Sequence, residues 1–149
     1  MLRLTPPIWA MVFLALAAAV SWALGWPPAP WLPHHNAVGM VVFFGGWAPA
    51  VWAVRRFVRN GADLDPFAQS NRVLVTDGPY RLSRNPMYLG LTVATLGMAI
   101  WVGSWPMLGA PVAVFLVTNF FFIPAEEAKM RAQFGEAYDA YALRVRRWV

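Results

Sequence analysis

Cysteine is absent from the 149 residues, so the chain has no disulfide framework, no thiol nucleophile and no thiolate to hold a metal. Its redox compartment is therefore not legible from cysteine use. Charge is also scarce: Asp, Glu, Lys and Arg make up 13% of the chain against 59% hydrophobic residues and nine Trp, with a mean hydropathy of +0.47. That balance excludes an ordinary soluble domain and describes a polytopic membrane protein built as one domain, residues 1–149. Lysine is nearly missing, Lys129 being the only one, so arginine supplies almost all the positive charge. With abundant Ala, Pro, Gly and Trp, this usage suits a GC-rich bacterial gene. The net charge of +5 does not signal nucleic acid, because the basic residues flank apolar runs, where positive-inside bias and anionic headgroups account for them. There is no Gly-rich phosphate loop, no Ser-His-Asp pattern and no dinucleotide fingerprint.

Two long tracts, residues 4–54 and 85–125, contain no Asp, Glu, Lys or Arg. Each is long enough to cross a hydrocarbon core about 30 Å thick twice, at about 1.5 Å per helical residue. The first is broken by the Pro-rich stretch from Gly25 to Asn36 and the second by Gly103-Ser104-Trp105-Pro106, where helix breakers meet an interfacial Trp. The pattern predicts an all-α bundle of four spans at about 7–24, 37–54, 85–102 and 106–123, with Pro49 and Pro111 kinking the second and fourth. The first span lacks a convincing cleavage site and reads as a retained helix rather than a signal peptide.

A polar loop at 55–84 separates the two hairpins, with turns at Asn60-Gly61 and Asp77-Gly78-Pro79 and a short extended piece at Arg72-Val73-Leu74-Val75. After Pro124, residues 125–144 read as an amphipathic helix whose apolar stripe is Ala128, Met130, Phe134, Tyr138, Tyr141 and Val145, interrupted by Gly135. All twelve positive charges, from Arg3 to Arg147, fall on one side of this arrangement and none on the opposite turns. Both termini are thus expected in the cytoplasm, with the protein in a bacterial inner membrane.

The stretch that reads as chemistry runs from Gly78 to Gly90. A two-arm hairpin returns the chain to the side it left, so Arg84 and the pair Glu126-Glu127 are expected to face one another at one membrane surface. Each residue has an ordinary structural role: Arg84 as a membrane-flanking anchor, the two Glu as complements to a helix N-terminus, and Tyr80 and Tyr88 as interfacial belt residues. Two carboxylates beside the last hydrophobic turn need a positive or hydrogen-bonding answer, however, and an amino acid-like ligand with an ammonium and a carboxylate would answer both the acidic pair and the arginine. Asn85 and Pro86 sit where an N-cap and first helical residue belong, which also directs free backbone N–H groups toward that surface. Gly90 and Gly97 suit close helix packing. His34-His35 has no carboxylate or thiol on its side of the membrane and reads as interfacial rather than metal-binding, so no metal is expected. Asn119, an amide inside the fourth span, needs a partner there.

Gly78-Pro79-Tyr80…Arg84-Asn85-Pro86-Met87-Tyr88-Leu89-Gly90, a hairpin, then Glu126-Glu127 and Phe134-Gly135-Glu136-Ala137-Tyr138…Tyr141…Arg144-Val145 closely resembles the isoprenylcysteine carboxyl methyltransferase and phospholipid methyltransferase superfamily. The resemblance spans about residues 70–148. It implies an integral-membrane methyltransferase using S-adenosylmethionine, with the cofactor at the cytoplasmic end of the last hairpin beneath the C-terminal helix. By position, the resemblance assigns Tyr80, Arg84, Asn85, Pro86, Tyr88, Gly90, Glu126 and Glu127 to the cofactor and Arg84, Tyr88 and Glu127 to catalysis. Asn85 stands where eukaryotic prenylcysteine enzymes carry His, as in many bacterial and phospholipid-type members. The implied partners are a lipophilic or lipid-linked acceptor and membrane lipids. Two other readings remain open at this stage, an NADPH-dependent sterol-type membrane reductase and a small non-catalytic membrane subunit.

Overall fold

A computed structural model describes residues 4–29, 34–59 and 73–149. Arg3, the Asn60-Gly61 turn, Arg72 and the middle of the Pro-rich stretch lie outside the described residues. Within them the chain is helical, without a strand. Helix α1, Pro6–Ala23, opens on Thr5 with Pro at its first positions, where the missing N–H costs nothing, and ends where Gly25 and Trp26 turn to positive φ. Helix α2 is His35–Arg59, longer at both ends than the sequence reading of 37–54. Its last turns carry Arg55, Arg56 and Arg59, placing cations where the helix dipole is negative. Helix α3 is Pro86–Val102 and ends at Gly103 in the left-handed conformation.

The fourth expected span differs in form. One helical stretch runs from Trp105 to Phe134, made of a 3-10 turn at Trp105–Leu108, helix α4 at Gly109–Val117, a π-helical turn at Thr118–Phe122 and helix α5 at Ile123–Phe134. Helix α6, Glu136–Arg144, follows after Gly135. The reading of 125–144 as one separate amphipathic helix is therefore corrected twice. Its first half continues the membrane helix, because the bond from the Ile123 N–H to the Thr118 carbonyl resets the helix just ahead of Pro124. Its second half breaks away because Gly135 takes φ +51° and ψ −127°, a conformation that favours glycine. Pro111 falls in the first turn of α4, and Pro49 lies inside α2. Three stretches, Pro6–Ala23, His35–Arg56 and Trp105–Phe134, are long and apolar enough to cross a membrane, and α3 is an apolar helix of 17 residues.

Helix α3 is the centre of the assembly, packed chiefly on α2 and also on α4 and α1. Its seam with α2 is made by four glycines. A Cβ on Gly39 would meet the backbone of Trp101, one on Gly46 the backbone of Ala94, one on Gly90 the Gly46 carbonyl and Ala50, and one on Gly97 the backbone of Phe43. Without side chains there, the two backbones approach closely, which in lipid is a main source of helix association. At one end Ala17, Ala99, Met107 and Ala110 form a small core beneath α1. The turns at that end are knitted together: the Ala29 N–H donates to the Gly103 carbonyl (2.8 Å), Ser104 Oγ donates to the Pro27 carbonyl (3.1 Å) and His35 Nδ1 donates to the Trp101 carbonyl (3.1 Å). The opposite end holds a second core of Ala53, Val75, Tyr80, Tyr138 and Tyr141, covered by Met130, Phe134 and Val145. The apolar stripe read across 128–145 thus gathers most of its members around this core despite the break at Gly135, with Tyr138 and Tyr141 buried and Ala128 exposed.

Candidate active site

Arg84 emerges from a short polar turn rather than from a helix. Gly78, at φ +60°, starts a 3-10 turn over Gly78–Arg81 that buries Tyr80, and Ser83 and Asn85 are buried around the next bend. Ser83 Oγ accepts from the Asn85 N–H (3.1 Å), which fixes the chain at the entry to α3. Asn85 occupies the N-cap position but makes no side-chain cap. Its amide donates instead to the Arg147 carbonyl (3.0 Å), so the expected cap is corrected to a tie to the C-terminal segment.

The hairpin brings Arg84 and the acidic pair into contact. Arg84 Nη2 lies 2.9 Å from Glu127 Oε1, with the two side chains 13% and 8% exposed. Tyr88, in the first turn of α3, donates its hydroxyl to Glu126 Oε1, and its ring lies against Phe122 with centroids 6.5 Å apart. Adjacent residues on α5 therefore engage different partners, Glu126 the α3 tyrosine and Glu127 the arginine before α3. Among the other expected site residues, Pro86 is buried at the start of α3 and Tyr80 is buried beneath α6. Gly90 lies in the α2 seam rather than among these polar groups.

The residues that sequence reasoning passed over are in the C-terminal segment. Arg147 donates from Nε to Glu127 Oε1 (3.2 Å) and from Nη2 to Glu127 Oε2 (2.7 Å), a two-point pairing. Its carbonyl accepts from Ser83 Oγ (3.2 Å) as well as from Asn85, and the Arg146 carbonyl accepts from the Arg84 N–H (3.0 Å). Asn119, in the π turn, accepts from Trp148 Nε1 (3.0 Å) and Arg147 Nη1 (3.5 Å), and Trp148 packs on Phe115. The amide flagged inside the fourth span thus finds its partners in the chain terminus. In the sequence Arg147 reads only as one more basic residue; the available signal was its place beside Trp148 directly after the amphipathic stripe.

Two tyrosines roof this end. Tyr141 donates its hydroxyl to the Tyr80 carbonyl (2.7 Å), and burial pushes both phenols well above their ordinary range. Both therefore remain neutral hydrogen-bonding groups under any working condition. The network of buried Arg84 and Glu127 with half-buried Arg147 carries one more positive than negative charge, and Arg84 Nε is buried without an acceptor among the described residues. Such an arrangement suits an anionic group near the arginines and a cation or hydroxyl near Glu126.

Comparison with known proteins places the chain among its relatives. The chain is 39% identical over 64 residues to an uncharacterized protein of Haemophilus influenzae, a match covering 42% of this chain and the whole of that protein. It is also 39% identical over 75 residues to probable protein-S-isoprenylcysteine O-methyltransferases of Oryza sativa subsp. indica and subsp. japonica, covering 48% of this chain but only 38% of theirs. No solved structure matches. Residues 35–137, well over half of the chain, match the phospholipid methyltransferase family, and the protein, with its long apolar helices, belongs to that family of membrane methyltransferases.

Proposed function

We propose that this single-domain protein is an S-adenosylmethionine-dependent methyltransferase with four membrane spans. In this reading it acts on a lipophilic acceptor at the cytoplasmic face of a bacterial inner membrane, with both termini on that side. The observation that carries the reading is the meeting of Arg84 and Tyr88 with Glu127 and Glu126 at the basic end of the bundle, in a chain of this family.

The side chains present suit the cofactor. Its amino acid end requires a carboxylate for the ammonium and a donor for the carboxylate, and its ribose hydroxyls require an acceptor. Glu126, partly accessible and held by Tyr88, serves the ammonium or the ribose; Arg84, whose Nε has no acceptor among the described residues, serves the carboxylate. The Tyr88 and Phe122 rings offer π faces to a cation or a flat base. Tyr80, Asn85 and Pro86 are buried on either side of Arg84 along the chain, and Glu127 works through its hold on the arginines. When bound, S-adenosylmethionine supplies a methyl group already activated on a sulfonium. The chain's share is then alignment, exclusion of water and charge balance, without a strong base. A lipid or lipid-linked acceptor would enter sideways between helices, polar end first.

Calorimetric titration of detergent-purified protein with S-adenosylhomocysteine, with NADPH run in parallel, tests the reading. Saturable binding of the former that is lost in Arg84→Ala is the expected result. Binding of NADPH alone would replace the methyltransferase with a reductase, and binding of neither by folded protein would remove the enzymatic reading.

A further inference from the structure

Glu127 receives two guanidiniums, and they are not equivalent. Arg147 holds the fork, meeting both carboxylate oxygens, whereas Arg84 touches Oε1 through Nη2 alone. Arg84 Nη1 reaches the Ala142 carbonyl at 3.4 Å, and Nε is buried without an acceptor among the described residues. A guanidinium alone with a carboxylate favours the two-point pairing. Were Arg147 absent, Arg84 could turn Nε as well as Nη2 onto Glu127 and would lose its unpaired donor.

We infer that Arg147 is a positioning residue of the site: by keeping the fork on Glu127 it confines Arg84 to a single contact and preserves Arg84 Nε for the carboxylate of an amino acid-type ligand. The inference rests on the cofactor reading above and adds to it a residue outside the family match at 35–137. Arg147 is held independently of Glu127, since its carbonyl is tied to Ser83 and Asn85 and its Nη1 and the Trp148 indole share Asn119 of the π turn. The C-terminal segment therefore joins the turn before α3 to the end of the last span.

The test compares two ligands by calorimetry in detergent: S-adenosylhomocysteine, which carries the amino acid carboxylate, and 5′-methylthioadenosine, which lacks the amino acid end. Wild-type protein should prefer the first. Arg147→Ala should lose about tenfold to a hundredfold of that preference, the worth of one charge-assisted hydrogen bond, while binding 5′-methylthioadenosine as before. Arg147→Lys keeps the charge at Glu127 but has no fork, so it too should lose preference, and it decides the matter if the alanine variant does not fold. Retained preference in either folded variant overturns the inference. So does equal weakening of both ligands in Arg147→Ala with full rescue by lysine, which would mark a purely structural residue. Wild-type binding of both ligands without preference overturns the inference alone, whereas wild-type binding of neither removes the cofactor reading itself.

Discussion

Glu127 is the residue on which most of the buried charge depends. Removing its charge as Glu127→Gln leaves Arg84 and Arg147 side by side with no anion between them, and breaking a buried pair in this way costs about 3 kcal/mol or more. Thermal unfolding in detergent should show a clear fall in midpoint, whereas Asp139→Asn, which breaks the exposed contact with Arg131, should leave it unchanged. Tyr141 makes a pH prediction. Its folded-state pKa is raised, so the native state favours the protonated phenol and the unfolded chain loses its proton first. Stability is full below the ordinary phenol value of about 10 and declines as pH rises past it. Tyr141→Phe should flatten the alkaline limb of the stability curve while lowering stability at neutral pH through the lost bond to the Tyr80 carbonyl.

At the scale of elements, the seam between α2 and α3 and the π turn can each be tested. Gly97→Ala would drive a Cβ into the Phe43 backbone, which has no flexible end to yield, and should destabilise by about 1–3 kcal/mol. Gly45→Ala, with nothing within 4 Å of its Cβ position, should be neutral or stabilise by up to about 1 kcal/mol through helix propensity. Parallel unfolding curves of the two variants distinguish close backbone approach from a general cost of replacing glycine. The π turn holds one residue more than an α-helical turn, so deleting exposed Phe120 should restore the α period and rotate α5 by about 100° relative to α4. Helical content by circular dichroism should persist while S-adenosylhomocysteine binding disappears, because Glu126 and Glu127 would leave Tyr88 and the arginines.

For the molecule as a whole, the proposed orientation rests on charge: the basic residues gather at the Arg84 end, and the linked turns at Ala29 and Ser104 carry none. The absence of native cysteine makes this directly measurable. Cysteine placed at exposed Trp105 should react with an impermeant maleimide from the periplasmic side of intact cells, and cysteine placed at exposed Arg81 only in inverted vesicles. The reverse pattern would invert the proposed topology.

Hydropathy and breakers alone determined that the described residues are helical, where the second uncharged tract turns and that Arg84 must return to Glu126-Glu127, because an uncharged tract in lipid has few alternatives to helices. The glycines at 90 and 97 were also legible as packing positions, since small residues in an apolar helix have few other uses. Tertiary structure decided which carboxylate meets which partner, because Glu126 and Glu127 are adjacent in the chain and only the phase of α5, set by the π turn, separates Tyr88 from Arg84. It also decided the role of Asn119, Arg147 and Trp148. No local period connects a polar residue inside a span with the chain terminus; that link exists only because Gly135 turns α6 back over the end of the bundle and returns the last residues to the entrance of α3.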